Sequence, residues 1–250
     1  MNYLLILLKR EWLAINKHLI ATISYFILFP LLIFLFVGLP LSEIVNEHIS
    51  MKYIEWIIPG IWIITSAMTS FLFGISSMNN TLFISKRIYT YLKSPITVWD
   101  VLFSLTVWSV IMGFIQLIIS IIITIALTLG NFNTIQLFSI TLYILPIILF
   151  MSILGVAFGS WVRDGFSSGF ASLITFVLFA FGFGCFIPLS EFPQQFSEYL
   201  LLFPVVGVIE EIHLVHMMER VKIVSTSLTI ILSVIIYLVN GAVVQKHFRN

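Results

Sequence analysis

The chain has 250 residues, 60% of them hydrophobic and only 9% charged, with a net charge of +1, whereas soluble domains run at about 45–50% apolar and about 25% charged. That balance excludes a soluble globular protein and a broad nucleic-acid surface, and leaves one all-α integral membrane domain over residues 1–250. The single cysteine, Cys185, excludes an intrachain disulfide.

At the N-terminus, "LLILLKREW" places its charges after a short apolar run and offers no small-residue cleavage site, so it reads as part of the mature protein. Leu5, Leu8, Trp12 and Ile15 recur at helical spacing while Arg10, Asn16 and Lys17 point elsewhere. This predicts an amphipathic helix over about residues 3–17, lying on the membrane surface with its basic residues near anionic head groups.

A spanning helix needs about 20 apolar residues, so the distances between successive charges locate the spans. Lys17 to Glu43, Glu55 to Lys86, Asp164 to Glu191 and Lys222 to Lys246 each hold one, and Asp100 to Arg163 holds two around the turn "GNFN" at Gly130 to Asn133. Six spans are predicted, over about residues 19–41, 54–79, 101–129, 134–161, 166–187 and 223–242. Between the last two, "IPLSEFPQQFSEYLLLFPVVGVIEEIHLV" carries Pro188, Pro193 and Pro204 between apolar runs too short to cross. Short re-entrant helices over about residues 188–220 are expected to cap the outer mouth.

Six spans put both termini on one side. Lys9, Arg10, Lys17, Lys86, Arg87, Lys93, Arg163, Lys246 and Arg249 fall on that side, against Lys52, Arg220 and Lys222 opposite. The excess of basic residues predicts cytoplasmic termini in a cell (inner or plasma) membrane. Glu43, Glu47, Glu191, Glu198, Glu210, Glu211 and Glu219 then lie outside.

Away from their ends the predicted spans hold no Asp, Glu, Lys, Arg or His, which argues against a proton relay, an intramembrane metalloprotease or a cation pump. Glu55, beside Trp56, reads as an interfacial anchor. His213 and His216 share a helical face near Glu210, Glu211 and Glu219 but lack the H-E-x-x-H arrangement, so a polar helix face is preferred to a metal site. No G-x-x-x-x-G-K-[ST] occurs, so the chain has no phosphate-cradling loop and no cofactor of its own is expected.

Three stretches, in this order along the chain, resemble the type-2 ABC transporter permeases. "YIEWIIPGI" at Tyr53 to Ile61 is similar to the Pro-Gly start of their second span, and "YTYLKSPITVWDVL" to their cytoplasmic segment with serine or threonine before proline. "CFIPLSEFPQQFSEYLLLFPV" is similar to their proline-punctuated outer element. The chain departs from the family pattern at Arg87, Tyr89 and Thr90, and at Phe203 before Pro204. The resemblance implies a membrane subunit of an ATP-driven exporter, paired with a second permease copy. Two separate ATPase subunits would carry ATP and Mg. It also implies a cytoplasmic coupling helix over about residues 86–99, with Arg87, Thr90, Leu92, Lys93, Ser94 and Pro95 touching the ATPase. Capping by Ser94, with Pro95 in a first helical turn, fits that expectation.

The second and fifth spans would then line a path for an amphipathic, lipid-linked or drug-like cargo. In the second, Ser66, Thr69, Phe73 and Ser76 fall on one stripe with Asn80. In the fifth, Phe176, Phe179, Phe183 and Phe186 form an aromatic stripe after Gly165, Ser168 and Gly169. Helix packing by small polar residues is the competing reading of the first stripe, and lipid contact that of the second. A lipid-modifying enzyme built on Glu210, Glu211, His213 and His216, or a non-transporting membrane subunit, are the alternative functions.

Overall fold

With no water in the hydrocarbon, each crossing segment must satisfy its own backbone, and helices do so without a neighbour. The computed structural model describes residues 3–45, 53–85, 91, 93, 95–128, 133–162, 164–217 and 223–249, and among these the regular structure is entirely helical. The elements are α1 (Tyr3–Asn16) and α2 (Leu19–Ile33), the latter continuing through a π turn into Leu39–Val45, followed by α3 (Tyr53–Asn79), α4 (Val98–Thr128) and α5 (Thr134–Trp161). Then come α6 (Gly165–Val177, extended by a π turn Leu178–Gly182), α7 (Gln194–Leu201), α8 (Pro204–His216) and α9 (Val224–Arg249). Six of these, all except α1, α7 and α8, are long and apolar enough to cross a membrane.

Their lengths are uneven. The 28 residues of α5 reach about 42 Å at 1.5 Å each, more than a hydrocarbon core of about 30 Å. The 18 residues from Gly165 to Gly182 reach only about 27 Å. Helix α8, with 13 residues, is too short to cross. It meets α7 at a bend of 103°, where Pro204 occupies the first helical turn of α8 and so ends any continuation from α7.

The core forms around α3, which packs most extensively against α5 and α4. Trp62, Phe71 and the run Ile57 to Ile64 are sealed against Ile144, Ile147, Ile148 and Met151 of α5, and α8 adds Val205, Val208, Ile209 and Ile212. Small residues set the spacing: a Cβ on Gly159 would stand 2.7 Å from the Ile75 carbonyl oxygen, and one on Gly155 would overlap the Phe71 carbonyl. Gly155 and Gly159 form a G-x-x-x-G pair that lets two backbones touch. Hydrogen bonds complete the seam, from Ser70 Oγ to the Ile148 carbonyl (2.9 Å) and from Asn79 Nδ2 to the Val162 carbonyl (2.7 Å).

Local caps place the remaining ends. Asn133 caps α5 by accepting from the Ile135 N–H, and Asp164 caps α6 through Ser167. The Ser167 N–H holds the exposed Asp164 carboxyl below the usual range. At the start of α9, Glu211 of α8 accepts from the Ser225 N–H and the Thr226 hydroxyl, a buried carboxylate on a helix N-terminus. Leu8 and Ile15 of α1 pack on the cluster of Phe26, Trp108 and Met112, and Trp12 stands edge-on to Trp108. Leu5, expected on the same stripe, is 60% exposed.

Candidate functional site

Two regions carry the predicted site residues: the segment ahead of α4, and the space beside α3 and α6. In the first, Arg87, Thr90, Leu92 and Ser94 lie outside the described residues, as does half of the expected coupling helix. Tyr91 is helical, Lys93 and Pro95 are exposed in turns, and α4 begins at Val98. Its cap is Thr97: the Thr97 N–H and hydroxyl both donate to Asp100 Oδ2 at 2.9 and 2.7 Å, and the Asp100 N–H returns a bond to Thr97 Oγ1 at 3.2 Å. This is a reciprocal capping box with Asp at the third position. "TVWD" displays it in sequence, and Thr97 caps α4. Beside the segment, the Arg10 guanidinium of α1 lies 5.0 Å from the centre of the Tyr91 ring, while its other arm pairs with Glu11.

In the second region the structure divides the predicted polar stripe. Ser66 is fully buried, its hydroxyl donating to the Trp62 carbonyl at 2.6 Å within the same helix. Thr69 is also buried and shares a hydrogen bond of 3.0 Å with the Tyr25 hydroxyl of α2. Both hydroxyls are therefore turned into the interior of the chain. Phe73 is half-buried, its ring 6.2 Å from that of Phe26. Ser76 alone of the four is exposed, on a ridge between two grooves.

One groove, of about 320 Å³, lies toward α2 and is walled by Thr22, Tyr25, Leu72, Phe73 and Ser76. The other, of about 400 Å³, lies toward α6, with Ser76 and Asn79 facing Gly165, Ser168, Gly169 and Ser172. Hydroxyls, amides and glycine backbone on apolar walls offer hydrogen bonds without fixed charge, which suits a ligand that is part polar and part apolar.

The aromatic stripe is also divided, because regular helix stops at Gly182 while the predicted span ran to 187. Gly184 has φ 88°, a left-handed conformation that glycine adopts without steric cost, and the chain turns back there. The Phe186 N–H then closes on the Ala180 carbonyl at 3.0 Å. Phe176 stays half-buried on α6 and Phe179 is buried. Phe183 instead stacks toward Phe203 at the α7–α8 corner. Phe186 is sealed in the core, its carbonyl accepting from the Tyr53 hydroxyl at 2.5 Å.

The ionisable residues of α8 are separated as well. His216 Nε2 lies 3.0 Å from the Glu55 carbonyl oxygen, and the Gln136 side-chain amide donates to the His216 carbonyl at 2.6 Å. His213 stacks on Trp56 with ring centres 4.2 Å apart. No group of three His, Cys, Asp or Glu poised for a metal ion occurs among the described residues.

Six apolar helices of spanning length, one of them short and weakly packed beside a polar groove, define a multi-pass membrane protein. The sequence model of the ABC-2 type transporter family matches residues 2–212, and the chain belongs to that family. It matches no curated protein and no solved structure. As a member it is a transporter permease subunit, a membrane component that is not itself catalytic and associates with an ABC ATPase subunit.

Proposed function

We propose that this permease works in an ATP-driven exporter of an amphipathic, lipid-linked or drug-like cargo. Two copies pair in a cell membrane with their termini in the cytoplasm, and two ATPase subunits holding ATP and Mg dock beneath them. The observation that carries this reading is the groove between α3 and α6: it is polar but uncharged, and α6 leaves Phe166, Phe170 and Leu173 exposed at 85%, 57% and 59%. An amphipathic molecule fits such walls, and a second copy covering α6 would close the path off from lipid.

Docking falls to the segment of Arg87, Thr90, Leu92, Lys93, Ser94 and Pro95. ATP-driven closure of the ATPase pair would pull on this segment and, through the capping box at Thr97, on the start of α4. The contact of Arg10 with Tyr91 supports α1 as part of the same surface. Replacing Lys93→Glu together with Pro95→Ala is expected to lower cargo-stimulated ATPase activity in the assembled complex while permease abundance stays level. Undiminished stimulation in that double variant removes the docking role. A cross-link from Ser94→Cys to the ATPase is the direct positive readout.

A further inference from the structure

The α8 end of the bundle holds a pocket that the transport reading does not use. Of the ionisable residues on α8, Glu211 is spent on the N-terminus of α9 and His216 on α3 and α5. Glu210 and His213 remain, one helical turn apart on the same face. Together with Trp56, Gly184, Leu189 and Met217 they line a cavity of about 160 Å³.

His213 is only 5% exposed, and neither of its ring nitrogens completes a hydrogen bond. Glu210 Oε2 is buried and equally unpartnered. Buried polar atoms left unpaired destabilise a fold, so this cluster calls for a ligand from outside the chain. Burial, with a smaller contribution from His216, pulls the His213 imidazole down to about 3, although the Gly184 backbone favours its charged form. The ring is therefore neutral near pH 7 and offers a lone pair as well as an N–H. Burial likewise pushes the Glu210 carboxyl above its usual range, as happens to a carboxylate lacking a counter-charge.

No Lys or Arg is among the described residues that line the cavity. An anion would meet a carboxylate there without compensation. A cation with N–H donors meets two acceptors. A quaternary ammonium has the charge but no donor for the imidazole. The volume is close to the roughly 150 Å³ that admits a benzene-sized guest, enough for an ammonium on a short alkyl stem.

We propose that this pocket binds a primary ammonium group, with Glu210 and the unprotonated His213 nitrogen accepting its N–H donors while Trp56, Leu189 and Met217 cover its stem. A free alkylamine and the ethanolamine head of a phospholipid share this chemistry. The proposal needs neither ATP nor a direction of transport, so it stands or falls apart from the exporter reading.

The test uses the purified full chain in phosphatidylglycerol nanodiscs, titrated with ethylammonium chloride and, separately, with tetramethylammonium chloride, with Tm as readout. Ethylammonium is expected to raise Tm saturably while tetramethylammonium does not, and Glu210→Gln is expected to weaken the apparent affinity by about tenfold or more. His213→Phe keeps a ring on Trp56 and removes the acceptor, so it is expected to weaken binding too. Equal responses to the two salts, or unchanged ethylammonium affinity in whichever variant folds, overturns the proposal. Repeating the titration in phosphatidylethanolamine nanodiscs separates the sources: a lipid head group already in place suppresses the response, whereas a site for free amines responds as before. Either pattern, on top of the Glu210 dependence, upholds the ammonium site.

Discussion

Gly155 and Gly159 on α5, and Gly165 and Gly169 on α6, share one four-residue spacing and meet opposite surroundings. The first pair presses against the α3 backbone, while a Cβ on either member of the second would meet no heavy atom within 4 Å. Helix α3, which receives the first pair, has 89% of its most apolar window buried, against 11% for α6. Hydrophobicity cannot explain the difference, since lipid tails are as apolar as leucine and give helices no reason to leave them. Close backbone approach and hydrogen bonds across the seam do explain it, and α3 has both. Helix α6 has the small residues without the partner.

The largest effect expected on this contrast comes from Gly155→Leu. Its side chain would occupy the space of the Phe71 carbonyl, and overpacking a rigid seam costs about 1–3 kcal/mol or more. A sharp loss of monodisperse protein after detergent extraction is the expected outcome. Normal yield and Tm would show that the α3–α5 seam is slack, and the comparison with α6 would collapse.

Asn79→Ala is the next largest. The amide of Asn79 is 8% exposed and donates to the carbonyl of Val162, the residue that ends α5. Its loss should cost about 1 kcal/mol and speed hydrogen exchange over the last turn of α5. Ser70→Ala removes the bond to the Ile148 carbonyl and should cost about 0.6 kcal/mol, the mean for such bonds in a membrane protein. Ser172→Ala on α6 removes only a bond to the Ser168 carbonyl one turn back. The two serines therefore sharpen the comparison: unfolding in graded denaturing detergent should separate Ser70→Ala from the parent and leave Ser172→Ala beside it.

The six spans were legible because a bilayer imposes a length and forbids unpaired charge, both of which show in the gaps between charged residues. The short helices α7 and α8 stand where short helices were expected, with Pro193 and Pro204 at their starts. Pro30, Pro59 and Pro146 lie inside helices, however, and proline alone is no such signal. Facing was not legible. In a span both sides are apolar, so period alone cannot say what Ser66 and Thr69 meet: Ser66 is buried and bonds back to its own helix, and Thr69 bonds to Tyr25 of α2. The G-x-x-x-G pair of α5 was a readable signal for the α3–α5 seam. The stripe of phenylalanines leaves the helix past Gly182 for a different reason: spacing of three and four presupposes helix, and the turn at Gly184 takes Phe183 and Phe186 elsewhere. Likewise "TVWD" announced the start of α4, but a proline two residues earlier is the louder signal in sequence.

Gly169→Leu gives the smallest effect on stability and the sharpest use of the comparison. With open space around its Cβ, the new side chain should leave Tm unchanged, within the roughly 0.5 kcal/mol of a neutral surface change. It would nevertheless project into the groove of about 400 Å³ that Gly169 lines with Ser76 and Asn79. If that groove carries cargo, flux in proteoliposomes reconstituted with the ATPase falls while Tm holds. A drop in Tm with flux unchanged would mean instead that α6 is already packed, through Gly169, against a neighbour, and the difference between the two glycine pairs would disappear in the assembled transporter.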